Sequence, residues 1–285
     1  MRVPAILLIF CLLPASAWAQ LKGAEPEKQV HWASAAFFGT GWYRVDDNRQ
    51  TFIFRIPWRQ EVRSAGWSDD GERKLGIEII YPVSLGVHSL DELPDFIEFD
   101  NYGTITFTPG VAVEIPVTDR WDLRPYAHYG VGYEDTSGEW AQIYYGGINS
   151  RYLLNQSDGL DWNLLNAVAY AGYKPEYKNR GQYGSALAGL EAKQRLEGVE
   201  FAGAPAWINW HITYDYMFDN LNFHVSEEEV VTIRDQWEFG VALSRGDSKI
   251  KIWFLEFEQL GLSYKFSSNG KYRALSFNLR SRFED

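Results

Sequence analysis

Three side chains in the last third of this 285-residue chain have the types and spacing for acyl-ester chemistry. His224 and Ser226 stand two apart, so an extended backbone presents both on one face, and Glu238 follows twelve residues after Ser226. In that role His224 would take the Ser226 hydroxyl proton and Glu238 would orient the imidazole. The competing reading is simpler. The pair lies in the acidic stretch Asp219–Glu229, beside Glu227-Glu228-Glu229, which reads as a solvated loop able at most to gather bridging divalent cations. We adopt the loop and assign no catalytic residue. Metal chemistry fares no better. The five histidines (His31, His88, His128, His211 and His224) show no ligand spacing, and the one cysteine is Cys11, so neither a metal site nor a cofactor is expected.

The elements that must position these residues are written in a composition of 46% hydrophobic and 16% aromatic residues, which excludes disorder. The 38 acidic and 27 basic residues give a net charge of −11 with no basic block, so a nucleic-acid partner is excluded. Arg2, the apolar run Ala5–Leu13 and the triplet Ala17-Trp18-Ala19 read as a signal peptide over 1–19, too short to span a bilayer as a helix. Phe10 stands before Cys11 where a lipoprotein signal needs a small residue. Cleavage after Ala19 would leave an exported chain without cysteine, stabilised by something other than disulfides.

From about residue 49 the hydrophobic period is two. Ile105, Phe107, Val111, Val113 and Ile115 oppose Thr104, Thr106, Thr108, Ala112 and Glu114. Across the turn Thr118-Asp119-Arg120, Trp121, Leu123, Ala127, Tyr129 and Val131 oppose Asp122, Arg124, Tyr126 and His128. The same alternation sets Phe52, Phe54 and Trp58 against Arg55 and Arg59, Ile77, Ile79, Tyr81, Val83, Leu85 and Val87 against Glu78, Ser84 and His88, and Ile208, Trp210 and Ile212 against Asn209, His211 and Thr213. Trp237, Phe239 and Val241 oppose Gln236 and Glu238, and Leu275, Phe277, Leu279 and Phe283 oppose Asn278, Arg280 and Arg282. Segments near 37–46, 139–153, 161–174, 181–195 and 250–266 complete the set, with a bulge expected at Phe257-Glu258-Gln259.

Such a chain can fold as a sandwich with its apolar face inward or as a membrane barrel with that face outward. Strands of about 10–15 residues, aromatics near strand ends (Trp58, Trp121, Trp140, Trp162, Trp207 and Trp237), and a polar face of Gly, Thr, His, Arg and Glu select the barrel. Lipid offers no hydrogen-bond partners, so the sheet must close, and an even count with periplasmic termini is expected. The expected fold is all-β, a transmembrane antiparallel up-and-down barrel over 37–285 after a lead-in over 20–36. It has twelve strands, or ten if the lead-in extends to residue 48. The inward parity places Arg55, Glu114, Arg124, His128, Glu191, Lys193, His211, Asp215, Glu238 and Arg280 in the lumen, where they either neutralise one another or line a narrow pore. The connection Gln60–Arg73, placed in the periplasm by counting strands, is longer than such turns normally are.

The last strand, with alternating Leu275, Phe277, Leu279 and a terminal Phe283, resembles the pattern read by the bacterial barrel-assembly machinery, although Glu284 and Asp285 follow it. With the leader and the segment Arg124-Pro125-Tyr126-Ala127-His128-Tyr129-Gly130-Val131-Gly132, the chain resembles the autotransporter-type β-barrels, and among them the solitary barrels without a passenger domain. The resemblance implies a barrel in the outer membrane of a Gram-negative cell. Its partners would be membrane lipid, lipopolysaccharide, the barrel-assembly machinery and periplasmic chaperones. It supplies no catalytic residues. His224 and Ser226 are similar to the pair used by outer-membrane lipid hydrolases such as lipid A deacylases, but those carry it nearer the C-terminus of a smaller barrel. The expected role is non-enzymatic, structural or adhesive. A narrow channel is the alternative, and a lipid hydrolase the second.

Overall fold

The computed structural model describes residues 32–46, 49–89, 103–135, 137–157, 159–176, 180–224, 230–246, 249–252 and 255–284. The expected signal peptide, most of the lead-in and Ser226 lie outside the described residues. A 3-10 helix, Trp32–Phe37, precedes β1 (Gly41–Val45) and β2 (Arg49–Arg63). A small hairpin, β3 (Gly66–Trp67) and β4 (Arg73–Lys74), leads to β5 (Gly76–Ser89), β6 (Thr104–Phe107) and β7 (Gly110–Thr118). Then come β8 (Trp121–Glu134), β9 (Glu139–Ser157), β10 (Leu160–Pro175), β11 (Gly181–Phe201), β12 (Ala204–His224) and β13 (Val230–Ser244). A second hairpin, β14 (Ile250–Ile252) and β15 (Leu255–Phe257), precedes β16 (Gln259–Phe266) and β17 (Tyr272–Asn278).

These strands form one closed antiparallel barrel of twelve. β6 and β7 act as a single wall strand, both pairing β5 and β8, and the ring closes through β1, which lies between β17 and β2. The long strand expected over 102–117 is broken at Thr108-Pro109 because proline cannot donate to the ladder. The expected strand over 250–266 is also shorter, since only β16 enters the wall and β14–β15 folds aside.

The long connection at 60–73 has a physical account. Gln60, Glu61 and Arg63 still pair with β5, and the β3–β4 hairpin, capped by the Ser68 hydroxyl on the Glu72 N–H, extends the β2–β5 hairpin beyond the barrel. Two turns among the described residues are tight: Gly159 (φ 79°) and Gly270 (φ 72°) adopt the left-handed conformation that they demand.

The pleat sorts the side chains by polarity in the reverse of a soluble protein. Phe54 (46% exposed), Ile105, Val131, Trp210, Phe239, Leu262 and Phe277 face out all round the wall. Thr106, Arg124, Asn149, Glu191, His211, Glu238 and Ser263 are buried inside. No packed second layer lies outside the barrel among the described residues.

Two features depart from expectation. First, the upper lumen, at the end away from the C-terminus, is apolar. Tyr43, Val45, Ile53, Val231, Ile233 and Tyr272 form one inward cluster, and Ala33 and Ala36 of the 3-10 helix pack on Ala141, Ile143 and Tyr173 to plug the rest. The β12–β13 register slips between Tyr216 and Leu221, which switches Val231 and Ile233 to the inner face. Second, Phe283 is not a residue of the outer wall. β17 stops at Asn278, and the tail folds back into the lumen, where Phe283 is 1% exposed.

Candidate functional site

The site is the lower lumen, where that tail crosses between the walls. The Asn149 side chain donates to the Phe283 carbonyl at 2.9 Å, and the Arg151 guanidinium sits 4.4 Å over the Phe283 ring. Arg59 of β2 donates to the Glu284 carbonyl at 2.7 Å. Gln259 donates to the Arg280 carbonyl at 2.6 Å, and the Ser281 N–H donates to Glu258 at 3.2 Å. Each bond compensates a main-chain group that would otherwise be buried unpaired.

The charges fall into two assemblies. In one, Glu78 of β5 accepts from Arg59 (3.0 Å) and Arg124 (2.5 Å), while Arg280 of the tail pairs with Glu258 (3.2 Å) and Glu284 (3.8 Å). In the other, Glu238, 1% exposed, faces His211 (3.2 Å), Lys265 (3.5 Å) and Arg282 of the tail (3.2 Å). A charge moved out of water needs such compensation, and the alternating pleat delivers it from strands far apart in sequence. At the bend between β15 and β16, burial and then the adjacent Glu284 charge push the Glu258 pKa up to about 8, against the pull of Arg280. Glu284 itself stays well below the usual carboxylate range. Its burial opposes ionisation, but the Glu258 hydrogen bond and Arg124, Arg59 and Arg280 outweigh it.

The tail separates two cavities. One, of about 200 Å³, lies against Phe37, Arg55, Tyr126, His128 and Asp215; the other, of about 560 Å³, lies at the lower end against Glu61, Glu114, Arg151, Lys193 and Ser281. Arg55, Glu114, Arg124, His128, Glu191, Lys193, His211, Asp215, Glu238 and Arg280 all line or fill the interior. Arg280 does so from the tail rather than from a wall strand, because the strand ends two residues earlier. His128 stacks on Tyr145 at 4.3 Å and bonds the Thr108 carbonyl, and Asn163 donates to Glu191 at 3.2 Å.

The His224–Glu238 relay is not assembled. Glu238 pairs across the sheet with Thr213 and His224 with Val230, so eleven residues of β12 separate them. The slip between Tyr216 and Leu221 shortens that path, and the eight β13 residues from Val230 to Glu238 set the two levels about 26 Å apart, while Glu238 is already committed to His211, Lys265 and Arg282. Sequence parity finds the wall residues, but it puts Phe283 on the outer face, where the structure buries it inside, and it gives no signal for Glu284 and Glu258, which organise the site with it.

No protein-family model matches this chain, and no curated protein matches its sequence.

Proposed function

We propose that the protein is an integral outer-membrane barrel with a structural, non-enzymatic role, its lumen occupied by its own termini. The observation that carries this reading is the apolar outer wall. Exposed side chains such as Phe54, Ile105, Trp210, Phe239 and Leu262 belong to different strands, a surface no aqueous monomer tolerates and a bilayer requires. Trp58 and Trp140, 55% and 52% exposed, stand toward opposite ends of that wall, as girdle residues would.

The plugged lumen favours the structural role over a channel. The 3-10 helix packs against β5, β6, β8, β9 and β10, and the tail spans the lower half. The resemblance to the solitary autotransporter-like barrels now rests on the period-two strands and the hairpin at Gly110–Glu134, no longer on Phe283. Under this reading an export leader precedes the barrel, membrane lipid, lipopolysaccharide, the barrel-assembly machinery and periplasmic chaperones are the partners, and the tail-bearing end faces the periplasm. The test is fractionation with gel mobility. The mature chain is expected in the outer-membrane fraction, extracted only by detergent, and migrating faster unheated than boiled. Free solubility without detergent overturns the reading.

A further inference from the structure

The outer wall presents an amide at mid-height. On β10 the inward positions are fixed by Ala167 and Ala169, which line the cavity of about 200 Å³, and by Asn163, which donates to Glu191 inside the barrel. Alternation therefore turns Asn166 outward, where it is exposed. Trp162 and Tyr170 share its face four residues to either side, about 13 Å each way along the strand. Asn166 thus sits midway between two aromatic levels of the wall. Its carboxamide has no hydrogen-bond partner among the described residues. Outward polar groups close to it are already paired within the chain. The Ser150 hydroxyl oxygen accepts from the Trp121 indole at 2.9 Å, and the Tyr170 hydroxyl donates to Gln182 at 2.7 Å.

Around Asn166 the side chains of the wall are short. In the ladder it stands between Ser150 of β9 and Ala188 of β11, and the next outward row holds Ile148, Val168 and Ala186. Larger rings border this floor. Tyr144 lies beside Tyr170 at 6.3 Å on one side, and Trp162 beside Trp210 at 6.3 Å on the other. Hydrocarbon supplies neither donor nor acceptor, so an amide left facing it keeps its full desolvation cost. The ester and headgroup oxygens of lipid lie at the boundary, where aromatic girdles sit, and not at mid-depth.

We infer that this patch is the contact between two copies of the chain, paired about a twofold axis along the membrane normal so that the two Asn166 side chains meet. The inference rests on the membrane reading above. A carboxamide carries both donors and an acceptor, so two of them close a pair of reciprocal hydrogen bonds. An unlike partner would need a matching group at the same depth. A second copy inserted in the same direction holds its own Asn166 at that depth, and a twofold axis makes the surface complementary to itself. The short side chains of Ser150, Ala186 and Ala188 let the two walls approach, as small residues do where protein surfaces pack within lipid.

The test is sedimentation equilibrium of the full mature protein in density-matched detergent micelles, with gel mobility confirming a folded barrel in every variant. The wild type is expected as a dimer that dissociates as the detergent-to-protein ratio rises. Asn166→Leu is expected to weaken it about three- to thirtyfold. Ala188→Trp, which fills the floor, is expected to weaken it further. Leu275→Trp, outward on β17 and five strands away around the ring, is expected to leave it unchanged. Asn166→Leu is also expected to raise the denaturant midpoint of the monomer; a lower midpoint would assign Asn166 to the fold of the single barrel and overturn the contact. A photoreactive residue in place of Ala186 is expected to give a covalent dimer in outer membranes, and an adduct to a different protein alone overturns the second copy. A monomer at every ratio, an assembly larger than two, or a dimer indifferent to both Asn166→Leu and Ala188→Trp overturns the proposal while the membrane reading stands. A chain that stays dispersed without detergent overturns both.

Discussion

The Arg59 guanidinium donates to the main-chain carbonyl of Glu284 at 2.7 Å across 225 residues of sequence, tying the second wall strand to the end of the chain. Through this bond and that of Asn149 to the Phe283 carbonyl, the tail becomes an internal partition rather than a free end. The barrel therefore contains two plugs of its own making.

If those plugs close the lumen, the wild-type protein gives flat traces in planar bilayers. Deleting residues 20–39 together with 279–285 is expected to produce discrete conductance steps while gel mobility still shows a folded barrel. Steps of equal size from the wild type would contradict the partition.

Glu238 compensates Lys265, Arg282 and His211 in the lumen. Glu238→Gln keeps the shape and removes the charge, leaving buried cations unpaired. A loss of about 3–5 kcal/mol is expected in denaturant unfolding from detergent micelles. A loss near that of a surface change would mean that water reaches the cluster.

Leu262 faces outward opposite Val241 of β13. In a bilayer, Leu262→Arg is expected to cost about 2–4 kcal/mol if it lies at mid-depth. In a water-soluble barrel the same change would cost almost nothing. Unfolding measured from lipid vesicles separates the two.

The Glu258 pKa is pushed up to about 8 by burial and by Glu284. A folded-state value above the unfolded one, about 4.3, means the folded protein holds an extra proton between them. Its contribution is complete below pH of about 4 and falls as pH rises through about 8. Thermal unfolding midpoints should therefore drop between about pH 5 and pH 8 and level off above, and the drop should shrink in Glu258→Gln. A midpoint that rises over that window contradicts the assignment.

Gly130 lies where β8 passes the break between β6 and β7. A Cβ there would stand 2.0 Å from the Phe107 carbonyl oxygen and 2.6 Å from the Thr108 Cα, both main-chain atoms that cannot swing away. Gly130→Ala is expected to destabilise by about 1–3 kcal/mol. Gly39→Ala, where the nearest atom to an added Cβ is the Tyr43 hydroxyl oxygen at 3.9 Å, serves as the milder comparison.

The sequence by itself determined the wall. Alternation at Ile105/Thr106, Trp210/His211 and Phe239/Glu238 assigns one side chain to each face, because a strand's pleat leaves no third direction. Twelve such segments, with the unpaired-edge penalty, are enough to require closure. Only the tertiary structure decided what fills the barrel. Phe283 shares the parity of Phe277 yet turns inward, because the strand ends at Asn278 and Arg59, Asn149 and Arg151 hold the tail inside. Those partners lie on β2 and β9, and no local period records a contact made across a lumen. Likewise, Val231 and Ile233 reach the inner face through a register slip against β12, a relation between two strands that neither sequence carries alone.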